Sequence, residues 1–215
     1  MNSVCPLCQH TQTHPFCSDK KRDYFQCTQC FLVFADRSSL LTAEQEKAQY
    51  DLHQNQLDDP GYRKFLSRLS LPLLMILTPE QKTGLDFGCG PGPLLAQMLS
   101  EAGKQMQLWD PFYAPEPHVL SQSYDFVSCT EAIEHFIYPA KEWALWQELL
   151  LPQGVLALMT KRYTDQNSFH HWHYKNDPTH ISFFHKHTFE FLAKRDNFAV
   201  DFPADDVVIF KKRNT

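Results

Sequence analysis

The chain has 215 residues, 43% of them hydrophobic, and a formal net charge of -5. That is enough for one full α/β core with a small appendage, and too little for two large domains. The acidic balance leans away from a protein that lives on phosphate backbones, and the longest apolar run, Leu71 to Leu77, is broken by Pro72 and falls far short of the ~20 residues of a membrane span.

Taken in chain order, cysteines come first. Cys5, Pro6 and Cys8 stand where a signal peptide would carry its apolar stretch, so a cytoplasmic protein with no membrane association is expected. Its seven cysteines are then expected as metal ligands or buried thiols rather than disulfides. Cys5-Pro6-Leu7-Cys8 and Cys27-Thr28-Gln29-Cys30 form two C-x2-C knuckles separated by 18 residues. Each knuckle places two thiolates on one tight turn, and two knuckles complete a sulfur tetrahedron for a structural zinc with no open coordination position. A zinc ribbon over residues 1–37 is expected, with Cys5, Cys8, Cys27 and Cys30 as ligands. Cys17 falls outside the set, and His10 and His14 are the substitutes if one thiol fails.

Residues 38–80 read as helical, with Leu40, Leu41, Ala48, then Tyr62, Phe65, Leu66, Leu69 and Leu73 at helix-like spacings. Asp58-Asp59-Pro60 fits the start of the second helix, an acidic cap followed by proline in the first turn. From Thr83 onward short apolar runs alternate with amphipathic stretches, the pattern of an α/β fold. Strands are expected at Gly84–Phe87, Gln105–Trp109, Asp125–Cys129 and Val155–Met159, with a last strand or hairpin around Val207–Phe210. Helices are expected at Pro93–Glu101 and Ala140–Leu150. Only 15 residues separate Trp109 from Asp125, and Pro111, Pro115 and Pro117 break them, so the usual helix and strand there should be reduced or missing.

The most informative stretch is Gly84-Leu85-Asp86-Phe87-Gly88-Cys89-Gly90-Pro91-Gly92. An apolar strand ends in an acid, then G-x-G-x-G, then a helix. The glycines let the backbone turn sharply and approach a ligand at the carboxyl ends of the strands. Two features separate this from a dinucleotide fingerprint: the third glycine of G-x-G-x-x-G is replaced by Pro93, and Asp86 would repel a pyrophosphate. A carboxylate suits instead a ligand with an ammonium and no phosphate, such as the methionine end of S-adenosylmethionine (SAM). Asp110, at the end of the next strand and about 20 residues after the glycines, suits a bidentate grip on ribose hydroxyls.

These residues carry a resemblance. Asp86 to Thr160 is similar to the class I SAM-dependent methyltransferases: Asp86, Gly88, Gly90 and Gly92 match acid–x–G–x–G–x–G, and Asp110 matches the ribose acid. Tyr124–Cys129 followed by Thr130-Glu131-Ala132-Ile133-Glu134-His135-Phe136 resembles the family's "YD-apolar-E-x-x-E-H" segment. Leu151-Pro152-Gln153-Gly154-Val155-Leu156 resembles its "L-x-P-G-G-x-L" turn, with Gln153 in place of the first glycine. The resemblance implies a Rossmann-like methyltransferase domain over 81–215, SAM as cofactor, and cofactor contacts from Asp86, Gly88, Cys89, Gly90, Gly92, Asp110, Thr130 and Glu131. Tyr50-Asp51-Leu52-His53-Gln54-Asn55 resembles the segment that covers the cofactor in such relatives. It implies contacts from Tyr50 and Asn55, against which stands the reading that Tyr50 packs in the core and Asn55 caps a turn.

His135, at the carboxyl edge beside the cofactor, is a candidate general base. The alternative is a histidine that only shapes the loop. Glu134 is expected to face solvent or cap the next helix. Residues 169–187 hold six of the eleven histidines. Asp177-Pro178-Thr179-His180-Ile181-Ser182-Phe183-Phe184 is similar to the segment after the fifth strand in relatives that include deoxysugar C-methyltransferases. His180 is thereby a catalytic candidate, and Trp172 and Tyr174 candidates for binding the acceptor. His170, His171, His185 and His187 read best as ordinary surface or core histidines, and the spacing matches no standard second metal site.

The expected activity is methyl transfer to an oxygen or carbon of a small molecule: a sugar, a quinone-like ring or a secondary metabolite. A ribosomal or transfer RNA methyltransferase is the rival. The net charge, the near balance of basic and acidic residues in the ribbon, and a Cys129-Thr130-Glu131-Ala132 turn that lacks the Asn/Asp-Pro-Pro-aromatic pattern weigh against nucleic acid. A non-catalytic SAM-binding adaptor is the second rival.

Overall fold

The computed structural model describes residues 4–52 and 58–213. The two knuckles frame a hairpin, β1 (Thr13–Ser18) and β2 (Asp23–Cys27), and β3 (Val33–Ala35) adds antiparallel to β2. Helix α1 (Ala43–Tyr50) follows, its start closed by a reciprocal box between Thr42 and Gln45. In α2 (Pro60–Ile76) Asp59 accepts from the amides of Gly61 (2.7 Å) and Tyr62 (3.2 Å) with Pro60 in the first turn, as its sequence signature predicts.

The remaining chain alternates: β4 (Thr83–Phe87), α3 (Leu94–Glu101), β5 (Gln105–Trp109), β6 (Tyr124–Thr130), α4 (Pro139–Leu149), β7 (Leu150–Met159), α5 (Gln166–His171), β8 (Ser182–Phe183), α6 (Lys186–Arg195), β9 (Phe198–Ala204) and β10 (Val207–Lys212). Six of these strands form one sheet in the order β5-β4-β6-β7-β10-β9. Its first four strands run parallel, and β10 pairs antiparallel with β7 and β9. Between β5 and β6 the proline-broken stretch holds one isolated bridge, Asp110 to Ala114, and a 3-10 turn at Pro117–Ser121. β7 begins at Leu150 rather than at the expected Val155. Gln153 adopts φ 62°, the left-handed conformation for which the resembled turn uses glycine, and the strand continues through it.

Alternation along the strands divides two cores. On one face α2 and α3 lay Leu66, Leu69, Leu73, Leu94, Leu95 and Leu99 against Phe126, Val155, Ala157 and Met159. On the other, Trp143 and Trp146 of α4 and Phe189 and Leu192 of α6 cover Phe87, Val127, Leu156, Leu158 and Phe210. Each such large apolar side chain contributes about 1.5–3 kcal/mol by leaving water. The result is a three-layer sandwich.

The cysteine module is joined to this sandwich rather than hung from it. β8, from the far end of the chain, pairs with β3 and completes a four-stranded sheet β1-β2-β3-β8. Phe16, Tyr24 and Val33 share a core with Tyr163, Phe169, Tyr174 and Phe183. Among the described residues no helix is long and apolar enough to cross a membrane.

Candidate functional site

The chain runs from β4 through α3 to β5 on one side, while β6 lies on the other side of β4. A crevice therefore opens at the carboxyl ends of these strands, where ligands bind in open α/β sheets. It is a cleft of about 610 Å³, lined by the glycine loop, the ends of β5 and β6, and α1.

Gly88 and Gly90 adopt φ of 75° and 64°, the left-handed region that favours glycine. A Cβ on Gly88 would come within 2.8 Å of the Ala132 Cβ, whereas one on Gly90 would meet nothing within 4 Å. The first glycine lets the loop pack on the β6 turn, and the second leaves open space for a ligand against bare backbone. Cys89 also lines the cleft, and Gly92 is buried outside its walls.

Asp86 and Asp110 end neighbouring strands but differ in task. Asp86 lies beneath the loop, 2% exposed and off the cleft wall, and accepts from Ser128 Oγ at 2.9 Å. Burial, aided by the nearby charge of Asp110 and opposed by Ser128, pushes its carboxyl up to about 6. Asp110 lines the cleft. One of its oxygens accepts from Gly90 N (3.1 Å), the other from Phe112 N (2.8 Å) and Tyr113 N (3.1 Å). Beside it Trp109 stacks on Phe87 with centroids 4.3 Å apart and adds an aromatic wall that the sequence reading missed, as it missed Phe112.

Thr130 and Glu131 form the β6 rim. Glu131 has φ 47°, and its Oε1 is buried without a hydrogen-bond partner among the described residues. Burial and the charge of Glu134 push its carboxyl up to about 8, against the pull of Lys161. Its other oxygen accepts from the Tyr174 hydroxyl at 3.4 Å, so the unpaired Oε1 in the cleft wall fits a cationic ligand such as SAM.

Glu134 corrects an expectation. It is fully buried rather than facing solvent, and accepts from Thr160 Oγ1 (2.9 Å) and from the Tyr174 hydroxyl (2.5 Å). His135 and His180 pack edge-on against each other in the cleft wall, with ring centroids 4.7 Å apart. His135 donates through Nδ1 to Thr179 O (3.2 Å), and His180 through Nδ1 to Tyr174 O (2.7 Å). A carbonyl only accepts, so each neutral ring keeps its lone pair on Nε2. Burial holds the His180 imidazole below its ordinary pKa. Tyr50 packs edge-on to His135 at 5.2 Å and lines the cleft with Glu46, which had no role in the sequence reading. Asn55 lies outside the described residues. Trp172 and Tyr174 stand behind His180 rather than on the cleft wall: Tyr174 is buried with its hydroxyl committed to Glu134, and Trp172 packs on its ring at 4.9 Å. Of the remaining histidines, His185 caps α6 by accepting from His187 N at 3.0 Å, and His170 meets Cys17 at 3.4 Å.

At the other end of the chain Cys5, Cys8, Cys27 and Cys30 bring their sulfurs within 4.8 Å of one another, with contacts of 3.6 Å (Cys5 to Cys30) and 3.5 Å (Cys8 to Cys27). A tetrahedral zinc with sulfurs at about 2.3 Å requires sulfurs roughly 3.8 Å apart, so the set fits the ion.

A family model described as a methyltransferase domain matches residues 53–201. No curated protein matches the chain. Among solved structures it is similar to an O-methyltransferase family protein from Burkholderia thailandensis, with TM-score 0.57 and 17% identity over 83% of this chain and 66% of that one, so it spans just under two thirds of that relative. It is also similar to a SAM-dependent methyltransferase from Archaeoglobus fulgidus (TM-score 0.52, 16% identity, 68% of this chain and 93% of that). A third is magnesium protoporphyrin IX methyltransferase from Synechocystis PCC 6803 with bound SAH (0.51, 13%, 82% and 97%). At these identities the solved structures speak for the fold alone, while the family model spans most of the chain. The glycine loop, the paired acids and the sheet order agree with both, and the chain belongs to the class I SAM-dependent methyltransferases.

Proposed function

We propose that the chain transfers a methyl group from SAM to an oxygen or carbon of a small-molecule acceptor, of the sugar, quinone-like or secondary-metabolite class. The observation that carries this is the cleft itself. The glycine loop and Asp110 line it together with the adjoining imidazoles of His135 and His180. Its volume suits a cofactor and a small acceptor. Among the described residues its walls carry Glu46, Asp110, Glu131, Glu134, Glu142 and Asp177 against a single Lys or Arg, Lys141. Such a surface suits a cationic cofactor and repels a phosphate backbone, which disfavours RNA.

The division of labour follows the chain. Residues 1–37 form the ribbon, with zinc on its four thiolates and the cytoplasm keeping them reduced. Residues 38–80 cover the cofactor, with Tyr50 on the cleft wall, and 81–215 carry the transfer. Gly88, Cys89, Gly90 and Gly92 shape the methionine end, Asp110 takes the ribose, and Thr130 and Glu131 close the rim. Asp86 acts through the loop it supports. SAM, when bound, supplies a methyl on a sulfonium sulfur, so the protein's task is to align the acceptor behind that methyl carbon and manage the acceptor's proton. The Nε2 lone pairs of His135 and His180 are the groups for that task, with Trp172 and Tyr174 holding His180 from behind.

Calorimetric titration of SAM and SAH into the full chain, with Asp110→Ala as control, tests the cofactor half. Binding that the control loses supports the reading, and a methylation screen of metabolite extracts then seeks the acceptor. Folded, zinc-loaded protein that binds neither compound sinks it. His135→Ala and His180→Ala should keep SAH affinity and lose turnover. Turnover unchanged in both removes their catalytic role.

A further inference from the structure

The acceptor end of the cleft has a second property. One donor atom from each of Glu134, His135 and His180 lies within 4.8 Å of the other two. The three come from two segments, the 3-10 turn Ile133–His135 and the loop before β8, and Ile181 N donates to Glu134 O at 2.9 Å to hold the segments together. Each imidazole spends Nδ1–H on a backbone carbonyl, which fixes its tautomer and leaves Nε2 as a ligand atom. That outer arrangement is the one that orients metal-binding histidines. Each Glu134 oxygen accepts one hydrogen bond, from Thr160 or Tyr174, and keeps a further lone pair. Asp177 Oδ2 lies 3.8 Å from His180 Nε2 and adds negative charge beside it.

A carboxylate at 0% exposure, with no cationic side chain bonded to it among the described residues, is costly unless something positive meets it. We propose that Glu134, His135 and His180 bind one divalent transition-metal cation, which takes two neighbouring oxygens of the methyl acceptor. Two imidazoles and one carboxylate favour zinc, iron, cobalt or manganese over the all-oxygen preference of calcium and magnesium. Three protein ligands on one side of a six-coordinate ion leave positions open toward the cleft, enough for a diol or an ortho-dihydroxy ring to chelate. The acceptor half of this inference rests on the methyltransferase reading; the cation half does not. With a cation bound the two imidazoles serve as ligands, and without one they remain free to take a proton.

Cobalt(II) is the probe. The full chain is first loaded with zinc at the ribbon and freed of excess metal, and cobalt is then titrated while absorption is recorded. The expected result is one further equivalent per chain, with bands of a nitrogen- and oxygen-bound ion and no thiolate charge transfer. His135→Ala and His180→Ala should weaken this binding at least tenfold while SAH still binds as in the unaltered chain, which shows that they fold. No cobalt beyond the ribbon, or cobalt binding that both variants retain, overturns the cation site. SAH binding without cobalt leaves the methyltransferase reading standing and removes the cation. Cobalt binding without SAH does the reverse. Catechol added to the cobalt–SAH complex should shift the cobalt bands, and unshifted bands overturn the chelated acceptor.

Discussion

Asp110 commits both carboxylate oxygens to backbone amides before any ligand arrives, so it shapes the loop as well as offering charge to a ribose. The two roles separate by substitution. Asp110→Asn keeps one acceptor oxygen and should weaken SAH binding about tenfold; Asp110→Ala removes both and should cost roughly a hundredfold, in line with ~1.5–3 kcal/mol for hydrogen bonds to a charged group. Equal losses by calorimetry would mean that charge alone matters. Asp86 gives a pH signature. Its folded value, about 6, exceeds the ordinary 3.8. Between those values the folded chain holds a proton that the unfolded chain has released, so this group's contribution falls as pH rises through the window. Asp86→Asn carries no such charge. In urea denaturation without ligand it should match the unaltered chain near pH 4 and exceed it above pH 6, by on the order of 2–3 kcal/mol. A difference independent of pH would show that Asp86 is not neutral in the folded protein.

The loop that presents His180 is held by the ribbon. The Arg22 guanidinium, 8% exposed, donates to the carbonyls of Lys175, Asp177 (2.9 Å), Pro178 (3.3 Å) and His180 (2.8 Å). Beside it the Lys175 ammonium meets Asp19 at 2.6 Å, and Ala35 N donates to Ile181 O at 2.9 Å. A planar fork can serve several carbonyls at once, which an ammonium cannot. Arg22→Lys should therefore lower stability by about 2–4 kcal/mol and speed exchange of the Ile181 amide, with SAH affinity unchanged because the glycine loop lies elsewhere. Exchange at Ile181 no faster than in the unaltered chain would show that the clamp does not hold the loop. None of this was legible beforehand. The glycine loop, its two acids and the knuckles could be read because local backbone geometry and ligand spacing dictate them. Arg22, Glu134 and the two-residue β8 acquire their roles from partners more than 20 residues away. Glu134 in particular reads as a solvent-facing residue, whereas its bonds from Thr160 and Tyr174 hold it inside.

At the scale of the whole molecule, the ribbon is part of the core. Cys5, Leu7, Cys27 and Cys30 belong to the same buried cluster as Trp143, Trp146 and Phe184, and Ala140 N at the start of α4 donates to Pro6 O at 3.3 Å. The sheet of the ribbon is completed by β8, and Tyr163 bridges the two parts by donating to Phe31 O and accepting from Gln26 Nε2 at 2.7 Å. A domain tethered by a linker would unfold by itself, whereas elements that share a core and a sheet unfold together. With zinc on the four thiolates, as proposed, its removal would leave four thiols crowded around an unfilled centre and withdraw the metal's contribution to folding. Chelation should thus lower the melting temperature of the entire chain in one calorimetric transition, with far-UV and tryptophan signals moving together, since Trp143 and Trp146 report on the α/β core. A ribbon that melts first, leaving the tryptophan transition at its original temperature, would show that the two parts are independent and that the ribbon is not needed to set the position of His180.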